Sequence, residues 1–245
     1  SIGALLGLSG FILAFLYNSL NLNILLAIGL TVVFGAVVGG MTNGFLIGRL
    51  KLSFMIVTLG TMTLFMGLIK LVSGGQTVTI PSTFLVDQFS FGKILGIPIP
   101  VIGSVAVFAL AAYVLKYTLF GRDVYAVGGN PKAAGLSGIN VAWTVVAVYA
   151  IAGAAAAFGG VIAASRTGSA GPTVGDAIML QAAAAVLIGG TSLRGGSGTV
   201  LGTAIGVLFF GVLSNGLQMA GFGTEWQQII GGIIQGVGYA LFEER

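Results

Sequence analysis

The sequence predicts an all-α integral membrane protein, a polytopic helix bundle of about eight membrane segments. Three observations predict it. Only 7% of the 245 residues are charged and 56% are hydrophobic, whereas a soluble domain carries about 25% charged residues. The 42 glycines fit a membrane protein, because glycine is commoner in membrane helices than in soluble ones. The apolar residues also fall in continuous runs. A β-barrel would show short alternating segments instead, and a lone apolar span in lipid satisfies its own backbone hydrogen bonds only as a helix.

Spanning a bilayer takes about 20 mainly apolar residues, and the runs that qualify or nearly qualify are 2–17, 24–48, 54–72, 98–118, 142–164, 177–193, 199–219 and 226–242. Each is bounded by polar residues, glycine or proline. The run 24–48 is long enough to tilt or kink near Gly39-Gly40. The run 177–193 is the weakest: its apolar core AIMLQAAAAVLIGG is short, contains Gln181 and leads into GGTSLRGGSGT around Arg194. That pattern suits a plain short span followed by a flexible loop, and it also suits a re-entrant or broken helix. The chain opens at Ser1-Ile2-Gly3 directly in an apolar run, with no charged leader region. It does not resemble a signal peptide, and the true N-terminus is expected to lie before it.

Lysine and arginine set the orientation. With Glu243-Glu244-Arg245 in the cytoplasm and eight crossings, Arg49, Lys51, Lys116, Arg122, Lys132, Arg194 and Arg245 fall inside, and Lys70, Lys93 and Arg166 outside. This is the arrangement the positive-inside rule favours. It makes 120–140 the largest cytoplasmic loop and puts 73–97 and 165–176 outside. The segment 73–100, SGGQTVTIPSTFLVDQFSFGKILGIPIP, is too apolar to float free. It is expected to pack on the external face, as a structural cap or as a surface for a substrate-delivery protein.

Small residues recur at four-residue spacing in Gly35/Gly39, Gly153/Ala157, Ala156/Gly160, Gly198/Gly202/Gly206 and Gly232/Gly236. Such spacing lets helix backbones approach closely in lipid and predicts a compact bundle or a dimer face, without pointing to any one function.

Several chemistries are excluded or disfavoured. There is no His and no Cys, which removes histidine acid–base chemistry, thiol nucleophiles and the usual transition-metal ligand sets. No GxxxxGK[ST] motif occurs, so the chain has no P-loop for ATP. The basic residues are scattered at span ends, which gives no nucleic-acid signal. None of Asp87, Asp123, Asp176, Glu225, Glu243 and Glu244 lies mid-span, which argues against ion coupling and against an intramembrane protease or lipid-modifying enzyme. Within the runs the polar residues are neutral: Asn43, Gln181, Asn215, Gln218 and Gln235. Asn43, Gln181, Asn215 and Gln218 are candidates to line a path for a neutral hydroxylated solute. Interhelical hydrogen bonding, worth about 0.6 kcal/mol each, accounts for them as well, and better so for Gln235.

The stretch FGRDVYAVGGNPKAAGLSGIN, residues 120–140, concentrates Arg122, Asp123 and Lys132 in a chain with few charges. NPKAAGLSGI has the grammar of a short helix: Asn130 as N-cap, Pro131 at the first helical position, Ala133 and Ala134 as helix formers and Gly138 as terminator. A helix this short frays without a partner, so it either docks on one or rests on lipid headgroups.

Four stretches carry a family resemblance: NGFLIGRLKLSFMIVTLGTMTLFMGLIKL at 43–71, GRDVYAVGGNPKAAGLSGINV, GGVIAASRTGSAGPTVGD, and AVLIGGTSLRGGSGTVLGTAIGVLFFGVLSNGLQM. In this order they resemble the permease subunits of bacterial sugar ABC importers of the ribose, galactose and xylose type, within the binding-protein-dependent inner-membrane component family. The resemblance covers essentially the whole chain. It implies a multi-pass subunit of the bacterial cytoplasmic (inner) membrane that pairs with a second permease subunit, identical or different. It also implies two cytoplasmic ATPase subunits that carry ATP and Mg, and a periplasmic or extracellular sugar-binding protein that delivers the substrate. No cofactor would be bound by this chain. The pattern N-P-x-A-A-x-x-S-G-I of the family's coupling helix falls on Asn130, Pro131, Ala133, Ala134, Ser137, Gly138 and Ile139, with Arg122 and Lys132 placed to meet acidic partner groups. The remaining alternatives are a branched-chain amino-acid importer permease, which would need a charge pair in its path, and a passive channel or membrane scaffold with no ATPase.

Overall fold

The computed structural model describes residues 1–192, 195–223, 226 and 229–233. Most of the expected span 226–242, together with Arg194, Gln235, Gly236 and the terminal Glu243-Glu244-Arg245, lies outside the described residues. The chain forms two compact units, Ser1–Val105 with Val141–Asp176, and Ala106–Asn140 with the segment from Ala177 onward.

The first unit is built on α1 (Ile2–Asn18), α2 (Ile24–Gly39), α3 (Phe45–Gly48), α4 (Phe54–Ser73), the start of α5 (Ile99–Tyr117) and α8 (Val141–Thr167). A π-helical turn, Gly40–Gly44, joins α2 to α3 where the sequence predicts a kink. Asn23 starts α2 by accepting from the Leu25 amide at 3.0 Å. Buried positions on α2 are Ile24, Ala27, Thr31, Gly35 and Gly39, and on α4 they are Val57, Thr61, Phe65 and Ile69. Spacing of three to four residues keeps each set on one helix face.

The seam between α2–α3 and α8 is where the small residues are used. A methyl group at Gly39 would stand 2.5 Å from the Tyr149 carbonyl oxygen, one at Gly44 2.8 Å from Val146 Cα, and one at Gly48 2.8 Å from the Ala142 carbonyl oxygen. Gly35 faces Gly153 and Ala157 in the same way. In lipid there is no hydrophobic force between helices, so this backbone approach supplies the van der Waals contact that holds them. Three buried hydroxyls are satisfied within their own helices: Ser9 donates to the Leu5 carbonyl at 2.7 Å, Thr31 to that of Ala27 at 2.7 Å and Ser165 to that of Ile162 at 2.8 Å. This follows from the cost of an unpaired polar group away from water.

The segment after α4 packs onto the first unit rather than floating free. β1 (Val78–Thr79) pairs antiparallel with β4 (Ser169–Ala170), Val78 opposite Ala170. A π-helical turn spans Phe84–Ser90, and β2 (Lys93–Ile94) and β3 (Ile97–Pro98) form a small hairpin. Ile80 and Leu85 are fully buried, and the Asn18 amide donates to the Thr79 carbonyl at 2.8 Å, tying the segment to the end of α1.

Beyond β4 the chain turns back along α1. Ala170 packs at Gly10, and Gly175 lies against Gly3, a displacement of about 10 Å at 1.5 Å of rise per residue. The next helix, α9 (Val174–Ile188), therefore starts well below the level of β4. It has 15 residues where a full span takes about 20.

The second unit holds the rest of α5, α6 (Leu119–Gly129), α7 (Pro131–Leu136), α9 from Ala177 onward and α10 (Val200–Met219). Gly206 of α10 meets the Ala185 backbone of α9, and Gly202 meets Gly189 just beyond it. Ala184, Ala185 and Phe210 form a small core between the two helices. Gly198, grouped with these by spacing, stands instead in the loop before α10.

Among the described residues five helices are long and apolar enough to cross a membrane: Ile24–Gly48, Phe54–Ser73, Ile99–Tyr117, Val141–Thr167 and Val200–Met219. Ile2–Asn18 and Ile178–Ile188 are shorter apolar helices. The first seven expected runs all coincide with helices, but 177–193 ends as a helix at Ile188, and 142–164 extends to Thr167. Large apolar side chains such as Leu25, Ile56, Leu71 and Leu201 are exposed, and α5 buries none of its residues. Apolar surface of that extent belongs against lipid or another subunit.

Candidate functional site

The loop 118–140 is two helices in series, not one. α6 is the element that sequence reasoning missed. Its signal is Thr118, whose hydroxyl accepts from the Gly121 amide at 3.2 Å while donating to the Val114 carbonyl at 2.7 Å. Gly121 is buried against the backbone of Leu115 at the bend from α5.

Asn130 separates α6 from α7 in an extended conformation. Its side chain accepts from the amides of Lys132 at 3.1 Å and Ala133 at 3.0 Å, the two donors an N-cap is suited to satisfy. Pro131 stands at N1, where its missing N–H costs nothing. The far end closes as the sequence predicts. The Gly138 amide donates to Gly135 at 3.1 Å and the Ile139 amide to Ala134 at 3.1 Å, with Gly138 at φ +86°. This is a Schellman closure, which requires a left-handed residue after the cap. The result is a six-residue helix capped at both ends.

Ala134 is buried, and Ile139 is half-buried. Arg122, Asn130, Pro131, Lys132, Ala133, Ser137 and Gly138 are exposed. Leu136, which the motif leaves unmarked, is 92% exposed. It is a lone large apolar side chain on a helix of small residues. With Lys132, also exposed, it gives α7 an apolar side chain and a cation on its open surface.

α6 is also held from behind. The Tyr125 hydroxyl donates to the Gly198 carbonyl at 2.9 Å, and Gly128 lies against the backbone of Gly195 and Gly196. Two of the stretches singled out in the sequence thus touch each other within one unit.

The four polar residues of the helix interiors have different settings. Asn43 is buried; its amide nitrogen donates to the Ser1 hydroxyl at 2.8 Å, and its oxygen accepts from Thr61 at 2.7 Å. It joins α4 and the start of α1 through the π-helical turn. Gln181 is exposed on α9, and Asn215 and Gln218 are exposed on one face of α10. Asn43 belongs to the first unit and the other three to the second. Among the described residues no group of three or more carboxylate, histidine or cysteine side chains is placed to hold a metal ion.

The family model described as "Branched-chain amino acid transport system / permease component" matches residues 1–235. The chain belongs to this family. The ribose import permease protein of Bacillus subtilis is 44% identical to this permease over 193 residues, 78% of this chain and 60% of that protein. The ribose import permease protein of Haemophilus influenzae is 41% identical over 232 residues, 94% of this chain and 71% of that protein. The D-allose transport system permease protein of Escherichia coli is 35% identical over 236 residues, 96% of this chain and 72% of that protein. This permease therefore spans about three-fifths to three-quarters of the length of the curated relatives it matches. No solved structure matches it. Family membership and the apolar helices make it a multi-pass bacterial membrane protein and a transport subunit, not an enzyme.

Proposed function

We propose that this permease is the transmembrane subunit of an ATP-driven importer that carries a monosaccharide across the bacterial cytoplasmic membrane by alternating access. The supporting observation is the doubly capped α7, displayed at the tip of a loop with Leu136 outward. Relatives whose names state ribose and D-allose transport support a sugar as cargo. The permease pairs with a second permease subunit. Two cytoplasmic ATPase subunits bind ATP and Mg, and an external binding protein delivers the sugar.

Energy then enters through α7. Closure of the ATPase pair displaces the docked helix, and the bundle switches its opening from one side of the membrane to the other. Leu136, Ala133 and Lys132 make the contact, and Arg122, exposed on α6, adds a second cation. Asn130, Ala134, Gly138 and Ile139 keep the helix formed. Gln181, Asn215 and Gln218 are neutral groups able to exchange hydrogen bonds with sugar hydroxyls, and Asn43 joins them only if its bonds to Ser1 and Thr61 open.

The description of the family favours one second reading, a branched-chain amino acid as cargo. Co-purification and uptake test both. The tagged permease, expressed with its genomic neighbours and extracted in mild detergent, is expected to bring a P-loop ATPase that is lost when residues 130–139 are scrambled. Proteoliposomes of the complex are expected to take up ribose, galactose or allose with ATP inside. Uptake of leucine but no sugar would move the cargo to amino acids, and solute flux without any ATPase would make the protein a passive channel.

A further inference from the structure

We propose that Tyr125, Gly128 and Gly196 form a clasp that transmits the displacement of α7 to α10, making Tyr125 and Gly128 positioning residues for transport. The inference rests on the importer reading above.

α7 follows α6 after the single residue Asn130, and Ala134 is buried at its base. A push on α7 is therefore delivered to α6. From α6 the described contacts lead to the loop before α10. The Tyr125 hydroxyl holds the Gly198 carbonyl at 2.9 Å across 73 positions of sequence. A methyl group at Gly128 would stand 2.5 Å from the Gly196 nitrogen, and one at Gly196 would stand 2.6 Å from Gly129 Cα. These are contacts between main chains, which have no side-chain rotamers to absorb a displacement.

The loop is tied in turn to α10. Gly198 precedes Thr199, whose hydroxyl caps α10 by accepting from the Gly202 amide at 3.0 Å. Within the loop the Ser192 amide donates to the Ser197 carbonyl at 3.1 Å. A methyl at Gly198 would stand 2.7 Å from the Thr191 hydroxyl. Movement of α6 thus arrives at the first turn of α10, the helix that carries Asn215 and Gln218, and at α9 through the Gly189–Gly202 contact.

Neighbouring glycines provide the test. Gly128 and Gly129 are consecutive in α6, yet a methyl at Gly129 meets nothing within 4 Å. Alanine also favours helix at both positions. The permease is reconstituted with its ATPase and binding protein, and two rates are read: ATP hydrolysed and sugar taken up, using whichever of ribose, galactose and allose the wild-type complex transports. In Gly128→Ala, sugar moved per ATP is expected to fall about tenfold, a typical coupling factor, while the ATPase stays bound and active. Tyr125→Phe keeps the ring and loses the hydroxyl, and a smaller fall in the same ratio is expected. Gly129→Ala is expected to match wild type.

A merely structural role would lower assembly and both rates in proportion, leaving the ratio unchanged. If Gly128→Ala fails to assemble, Tyr125→Phe decides. A wild-type ratio in Tyr125→Phe and in any assembled Gly128→Ala complex overturns the clasp, as does an equal loss in Gly129→Ala. Absence of ATP-dependent uptake in the wild-type complex overturns the importer reading instead.

Discussion

The α2–α8 seam and the α6–α7 hairpin both depend on glycine, and they use it differently. In the seam, Gly35, Gly39, Gly44, Gly48 and Gly153 bring two apolar helices into backbone contact over most of their length. In the hairpin, Gly121 and Gly128 are closely packed, but Gly138 ends a short helix whose outer face stays open. The seam is buried on both sides, whereas the hairpin is fixed on one side and displayed on the other. A glycine count therefore does not separate a structural contact from a functional one. What lies opposite each glycine does.

The largest expected effect is in the seam. Gly153→Leu would drive a side chain into the Gly35 backbone, an overpacking that costs about 1–3 kcal/mol or more. Loss of monodisperse protein and a lowered thermal midpoint in detergent are expected. Gly67→Leu, where nothing lies within 4 Å, is the matched control and is expected to stay within about 0.5 kcal/mol of wild type. Similar losses in both would erase the distinction between seam and lipid-facing glycines.

In the hairpin the order reverses, with partner binding hit and stability spared. Leu136→Asp is expected to leave the thermal midpoint unchanged and to weaken ATPase binding by about 2 kcal/mol or more, the scale of an interface anchor, measured by titrating the purified ATPase. Unaltered affinity would remove Leu136 from the contact.

Gly138→Val puts a β-branched residue at φ +86°, with strain of order 1–3 kcal/mol. Membrane insertion is expected to remain and stimulation of the ATPase to be lost; normal stimulation would count against docking through α7. Asn130→Ala removes the acceptor for two amides at about 1 kcal/mol. It should weaken ATPase affinity about fivefold, with Asn130→Asp restoring most of it. The smallest effect belongs to the first unit again: Thr61→Val deletes one interhelical bond to Asn43, worth about 0.6 kcal/mol, read as a small shift in the thermal midpoint.

Much of this was legible in the residues. Continuous apolar runs located the helices, because lipid leaves an isolated apolar segment no other backbone solution. Four-residue spacing marked Gly35, Gly39, Gly153, Ala157 and Gly160 as packed positions. Asn130, Pro131 and Gly138 announced both ends of α7, since caps are local in sequence. α6 was less legible because its amphipathic pattern is interrupted by Gly121 and Gly128 and its only start signal is Thr118. Leu136 escaped notice because the motif around it is defined by small residues, and exposure is a property of the fold. The Tyr125–Gly198 bond joins positions 73 apart, and no local pattern encodes it. The shortness of α9 was visible, but the return of 170–175 along α1 before it showed only in the packing of Gly10 and Gly3.

The most direct test of the docking claim uses the absence of cysteine. Leu136→Cys puts at the end of α7 the only thiol in this sequence, which can carry a benzophenone photo-crosslinker in native membranes. The expected product is one covalent adduct containing a P-loop ATPase, absent when the same label is placed at Leu26→Cys on an exposed apolar face of α2. Adducts with lipid alone at Leu136 would contradict the account and leave α7 as a helix resting on the membrane surface.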